Sequence, residues 1–195
     1  MCNNLQMARK YELKKRAEQQ LETRRRIVEA AIELHRTKGP ARTTLSDIAR
    51  LAGVQRHTLY RHFTDEREIG LACSGLYMEQ NPPPRAEAWR SLPPGEPRLR
   101  TGLRDLYAYF ERNQDMLAHV TRDAEVDPLT LEMFVLRAGE QMGAVRHVLA
   151  EGLEGSRRLA TLGLALDFHT WRNLQRSGLG ADEMVETMVA AVLAQ

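Results

Sequence analysis

The chain has few of the features that mark secreted, membrane-bound or catalytic proteins. Only Cys2 and Cys73 are cysteines. They have no metal-type spacing and cannot form a disulfide framework, so the cytoplasm is the expected compartment. No run of eighteen apolar residues exists, which argues against a membrane span. The first residues are charged and lack the apolar stretch of a secretory signal. Nucleophile elbow, glycine-rich phosphate loop and paired metal ligands are all missing. Asp167 and His169 stand two apart, so on a helix they splay by about 200° and make a poor dyad. No catalytic residue, metal or cofactor is therefore expected. Alternating strand-like segments are absent too, and the predicted fold class is all-α.

What is present is a soluble globular composition, 43% apolar and 28% charged. The net charge of +2 hides an asymmetry. Residues 1–67 hold 15 Lys/Arg against 8 Asp/Glu, a net of +7, and the rest holds 13 against 18, a net of −5. A basic first third on an acidic remainder points to a polyanion met by the first part alone.

The most informative stretch is residues 44–63. Leu45, Ile48, Ala49 and Ala52 recur at helical spacing, and Gly53 suits the left-handed residue that ends a helix. A second short helix follows from about Gln55, with Leu59 and Phe63 as its inward row. Arg56, His57, Tyr60 and Arg61 fall outside that row. A tight turn followed by a helix carrying donors and cations is what a major-groove reader requires. Arg56 can pair with guanine O6 and N7, while Tyr60 and Arg61 suit phosphates. Thr43 or Thr44 is placed to cap the first of these helices, and at the Thr44 end a phosphate could also sit.

The flanking segments extend the pattern. Residues 1–22 are polar and basic, including Arg9, Lys10, Lys14, Lys15 and Arg16. They form either an arm, continued by Arg24 and Arg25, that follows phosphates, or a solvated extension of the first helix. That helix is predicted over residues 23–38, ended by Gly39-Pro40. Thr64 is expected to cap a fourth helix that runs to about residue 80. Six prolines between residues 82 and 97 exclude long helix there, and Trp89 is expected to anchor the loop. Helical spacing then resumes in a fifth helix (Leu99, Leu103, Leu106, Phe110), a sixth (Met116, Leu117, Val120) and a seventh opened by Asp127-Pro128. An eighth, 156–177, carries Leu159, Leu162 and Leu166 on one row and Leu164, Phe168 and Trp171 on another. The two rows lie on opposed faces, one of which wants a partner. With a ninth helix bearing Met184, Met188 and Val192, this predicts a four-helix homodimer interface using Leu162, Leu166, Met184, Met188 and Val192. The predicted organisation is an arm (1–22), a helix-turn-helix domain (23–66) and a helical remainder (67–195), about nine helices in all.

Over residues 23–70 the sequence resembles the TetR family of transcriptional regulators. The residues concerned are Thr23-Arg-Arg-Arg-Ile-Val-Glu-Ala-Ala31, Thr43-Thr44, Asp47-Ile-Ala49, Ala52-Gly-Val54 and Thr58-Leu-Tyr-Arg-His-Phe63. Trp171-Arg-x-Leu174 and Gly178-Leu179 look like the family's closing helices. The resemblance implies a homodimer that reads a palindromic operator in double-stranded DNA and a helical domain whose small-molecule effector shifts DNA affinity, acting as a repressor. Carried over, Thr44 touches phosphate, Gln55, Arg56, His57 and Thr58 meet bases and phosphates, and Tyr60 and His62 meet phosphates. Where the family usually has a lysine, this chain has Glu66, and Arg67 is the neighbouring candidate to replace it.

An effector pocket is expected among the fifth to eighth helices, with Tyr107, Phe110, Met116, His119, Met133, Phe134, Arg137, His169 and Trp171 as candidates. The competing reading is a constitutive or architectural DNA binder without an effector.

Overall fold

Side-chain caps set several helix starts. Thr44, Asp65, Asp127 and Asp167 each accept a hydrogen bond from the backbone N–H three residues on, satisfying donors that a helix start leaves free. The computed structural model describes residues 2–194, and the backbone alone for residues 2–10. Among them are ten α-helices and two 3-10 helices, and no strand. The first part holds α1 (Cys2–Lys38), a 3-10 corner (Pro40–Arg42), α2 (Leu45–Leu51), α3 (Arg56–His62) and α4 (Glu66–Gln80). After a 3-10 turn (Ala86–Ser91) come α5 (Glu96–Arg112), α6 (Gln114–Ala124), α7 (Pro128–Ala150), α8 (Ser156–Ala165), α9 (Phe168–Arg176) and α10 (Ala181–Leu193).

Three expectations are corrected. The first helix does not begin near Thr23 but runs unbroken from Cys2, with residues 11–22 all exposed. Asp65, not Thr64, caps α4, while Thr64 donates from its backbone N–H and hydroxyl to the Glu68 carboxylate. The expected eighth helix is two, because Asp167 leaves the helical path and caps α9 through Thr170 N at 2.9 Å. That break undoes the two opposed faces. Leu162, Leu166, Phe168 and Trp171 all turn into one core, and Leu164 alone stays outside, 59% exposed.

Two apolar cores organise the chain. The first joins Ile27, Val28 and Ala31 of α1 to Ile48 and Ala49 of α2, Leu59 and Phe63 around α3, and Ile69 and Cys73 of α4. Its packing thus reaches past residue 66. The second gathers Leu99, Leu103, Leu106 and Phe110 of α5, spaced for one helix face, with Val145 and Leu149 of α7, Trp171 of α9 and the apolar rows of α10. Met184, Met188 and Val192, expected at a dimer interface, are buried here within the single chain, as are Leu162 and Leu166. Trp89 anchors the proline-rich loop: it is buried, and its indole N–H donates to Asp105 Oδ2 at 2.7 Å.

The two parts are tied together at the ends of α1 and α4. Asp123 of α6 accepts from Ala41 N at 3.0 Å, and Arg122 donates to Lys38 O at 3.2 Å. Gly39 makes room for this contact. Its φ is +96°, and a Cβ there would run into the Asp123 carboxylate and the Arg122 guanidinium. On the other side Arg67 of α4 pairs with Glu132 of α7 at 2.7 Å.

Candidate nucleic-acid interface

The reading unit is built by caps and a turn. Thr44 Oγ1 accepts from Asp47 N at 3.1 Å, and Thr44 N donates to Asp47 Oδ2 at 3.3 Å, closing a capping box; the Thr44 hydroxyl also donates to Oδ2 at 2.8 Å. Asp47 also takes Lys38 Nζ at 2.6 Å and Arg50 at 2.8 Å, so one carboxylate joins the end of α1 to the start of α2. Led by the Lys38 contact, these bonds hold the Asp47 carboxyl far below the usual range. At the far end of α2, Gly53 takes φ +65°. Val54 N then bonds Ala49 O, and Gly53 N bonds Arg50 O, the paired bonds of a Schellman turn. Arg26 of α1 donates to Ala52 O at 3.1 Å and fixes this turn to α1.

The turn aims α3 outward. Leu59 and the following Phe63 are 1% exposed and hold the helix to the first core. Gln55 is the N-cap with its side chain uncommitted, and Gln55, Arg56, His57, Tyr60 and Arg61 are all exposed. Thr58 and His62 are half-buried beside them, so the predicted readers share one outward surface. Arg56 Nη2 donates to Tyr60 Oη at 3.1 Å, one helical turn on, and its guanidinium lies 5.6 Å from that ring. Burial, with Arg61 and Arg24 nearby, holds the His62 imidazole below its usual pKa.

The arm residues are placed differently. Arg24 lies over the Phe63 ring at 4.3 Å and pairs with Glu68, so it serves the core edge. Arg25 pairs with Glu22 and Glu29 along α1. Residues 11–22 form an exposed extension of α1. The side chains of Arg9 and Lys10 lie outside the described residues. Arg67, the neighbouring candidate for the lysine expected at Glu66, pairs with Glu132 of α7 at 2.7 Å. Sequence reasoning missed Arg42, which is exposed in the 3-10 corner two residues before the Thr44 cap. Its only sequence signal was that nearness to a helix N-terminus.

A cavity of about 270 Å³ lies behind this unit, between α1, α2 and α4 on one side and α5, α6 and α7 on the other. Its walls come from α1 and the corner (Ile32, His35, Pro40, Ala41), α2 (Leu45, Ile48), α4 (Ile69, Cys73, Ser74, Tyr77), α6 (Met116, Val120) and α7 (Met133, Phe134, Arg137). Four of the nine expected residues line it: Met116, Met133, Phe134 and Arg137. Tyr107, Phe110 and Trp171 instead pack with Phe168 inside the second core, and Tyr107 donates to Ala165 O at 3.0 Å. His119 bonds its own helix at Asp115 O, and His169 is exposed beside Phe168. In the cavity wall His35 Nδ1 lies 3.7 Å from Cys73 Sγ. Burial pulls the imidazole down to about 4 and pushes the thiol up to about 12, so both are neutral at pH 7.

Comparison with known proteins agrees with this geometry. Residues 27–73, from α1 into α4, match the family described as "Bacterial regulatory proteins, tetR family". The HTH-type transcriptional regulator TtgR of Pseudomonas putida is 50% identical over 52 residues, 27% of this chain and 25% of that protein. The match therefore spans about a quarter of the length of that relative. Among solved structures, a linker-substituted mutant of HlyIIR superimposes with a TM-score of 0.64 at 16% identity, covering 88% of this chain and 96% of that one. A TetR family transcription regulator from Marinobacter aquaeolei does so with 0.59 at 18% identity, covering 91% and 97%. Residues 27–73 thus match the helix-turn-helix domain of the tetR family of bacterial regulatory proteins, and the chain as a whole shares its all-α fold with solved TetR-family regulators.

Proposed function

We propose that the chain is a dimeric repressor that reads a two-fold symmetric DNA operator through α2 and α3 and releases it when a small molecule fills the cavity. The observation that carries this is the position of the cavity. Its wall is shared between the corner that sets Thr44, namely Pro40, Ala41 and Thr43, and α6 and α7 of the second part. A molecule held there touches both, and can favour one arrangement of α2 over another. That difference in affinity between two arrangements is what coupling to DNA requires.

Within this reading Gln55, Arg56, His57 and Thr58 meet base edges and nearby phosphates. Thr44, Tyr60, Arg61, His62 and the added Arg42 set the register on the backbone. Dimerisation is supported by an exposed face that the chain itself leaves uncovered. Leu131, Val135 and Leu136 of α7 are 47%, 58% and 53% exposed, with Gly139 and Gly143 following along the same helix, and Leu164 of α8 is 59% exposed. A large exposed apolar patch marks an interaction surface, and reading successive major grooves requires a second copy, with the two α3 helices about 34–36 Å apart.

Fluorescence anisotropy of a labelled operator tests the whole reading. A compound that binds the cavity should raise the DNA dissociation constant, and operator should weaken that compound's binding by the same factor. Compounds that bind without any change in DNA affinity would favour a constitutive DNA binder instead.

A further inference from the structure

The cavity wall carries a cation whose partners leave it uncompensated. Arg137 Nη2 donates to Leu71 O at 2.8 Å and Nε donates to Ser74 Oγ at 3.1 Å, both neutral acceptors on α4. Among the described residues no carboxylate lies within 4.0 Å of its guanidinium, whereas buried Arg98 and half-buried Arg122 each have one. Gly75 lets the group lie flat on α4, since a Cβ there would stand 3.1 Å from Nη2. A guanidinium has five N–H donors, and two are used, so Nη1 and the remaining Nη2 donor are left for an acceptor.

The other polar groups of the wall do not meet that need. Cys73 is held as the neutral thiol and His35 as the neutral imidazole. Asp127 is engaged in capping α7 through Thr130 N at 2.8 Å. Glu66 sits at the first residue of α4, eight residues and so about 12 Å along the axis from Ser74. Between these ends the wall is apolar and sulfur-rich, with Met116, Met133, Leu117 and Val120.

We propose that the cavity takes an organic monoanion, its carboxylate paired with Arg137 and its apolar body lying along α4 against Met116, Met133 and Val120. This rests on the reading of the cavity as the effector site and gives that effector its chemical class. A planar carboxylate matches the guanidinium in a two-bond pair, which is stronger than bonds between neutral groups. An amine of the same size leaves Arg137 unpaired and adds a like charge beside it.

Titration calorimetry of the full chain with phenylbutyrate, phenylbutanol and phenylbutylamine tests this without DNA. The acid should bind about tenfold or more tightly than the alcohol, and the amine should be weakest. In Arg137→Met the acid's advantage should vanish while alcohol binding stays within about twofold, and Arg137→Lys should restore part of it. The wild-type ranking stands as a test even if the methionine variant fails to fold. The proposal is overturned if the alcohol or amine equals the acid, if none of the three binds, or if Arg137→Met keeps the preference. Acid binding that leaves operator affinity unchanged would remove the effector reading and leave the anion site standing. Release of DNA by the amine or alcohol at a lower concentration than by the acid would do the reverse.

Discussion

Arg56 and Tyr60 are bonded to each other in the free protein, and this joins two different tasks on α3. Arg56 should carry base discrimination, and Tyr60 should help to hold the backbone. Arg56→Ala is expected to lower affinity for the operator by about 1–3 kcal/mol while barely changing affinity for random DNA. Tyr60→Phe keeps the ring and removes the hydroxyl, so it should weaken both by similar factors. Anisotropy against the two DNAs separates the cases, and equal losses for Arg56→Ala would remove its base contact. His35 supplies a second expectation. Folded, it takes a proton near pH 4; unfolded, near 6.5. Between those values the unfolded chain binds more protons, so stability is full above 6.5 and falls as the pH drops. From pH 7 to 5 the loss should be about 2 kcal/mol, and His35→Gln should flatten most of that slope, with His62 leaving a remainder. Asp47, depressed below 3.8, adds its loss only under about pH 4. Urea unfolding at several pH values measures both.

Among the elements, the corner between α1 and α2 is the joint on which the account depends. Gly39→Ala combines a left-handed φ with a clash against Asp123, and should lower stability by about 2 kcal/mol or more. It should also weaken DNA binding, because the same corner sets Thr44. Denaturant unfolding and anisotropy on the one variant check both effects. The α2-turn-α3 unit was legible because each boundary has its own residue: Thr44 caps, Gly53 turns, and Leu59 and Phe63 face inward. The break at Asp167 was not, because neither glycine nor proline stands there. The aspartate reads equally well as a polar residue on the outside of a continuous helix, and only the Thr170 bond reveals the cap. Only part of the cavity wall was legible, for a related reason. Aromatic residues of α5 and α9 looked like ligand contacts but stack on one another. The actual wall is drawn from segments far apart in the chain, which no local spacing reports.

At the scale of the molecule, a reading unit, a cavity and an uncovered apolar face lie on one helical frame. The proposed dimer face differs from the one the sequence suggested. The residues first expected to pair are core, and the exposed α7 surface with Leu164 is the candidate face. Val135→Glu together with Leu136→Glu should leave the fold intact and shift the chain to monomer in sedimentation, since both side chains are already more than half exposed. The same variant should lose most of its operator affinity, because a single α2–α3 unit makes half of the contacts. The central claim is that two copies of this unit read DNA by sequence, and enrichment of sites from a random DNA pool with the wild-type chain tests it most directly. The account predicts a two-fold symmetric site with half-sites about one helical turn apart or a multiple of that. A pool with no enriched sequence, or one asymmetric half-site alone, would contradict it.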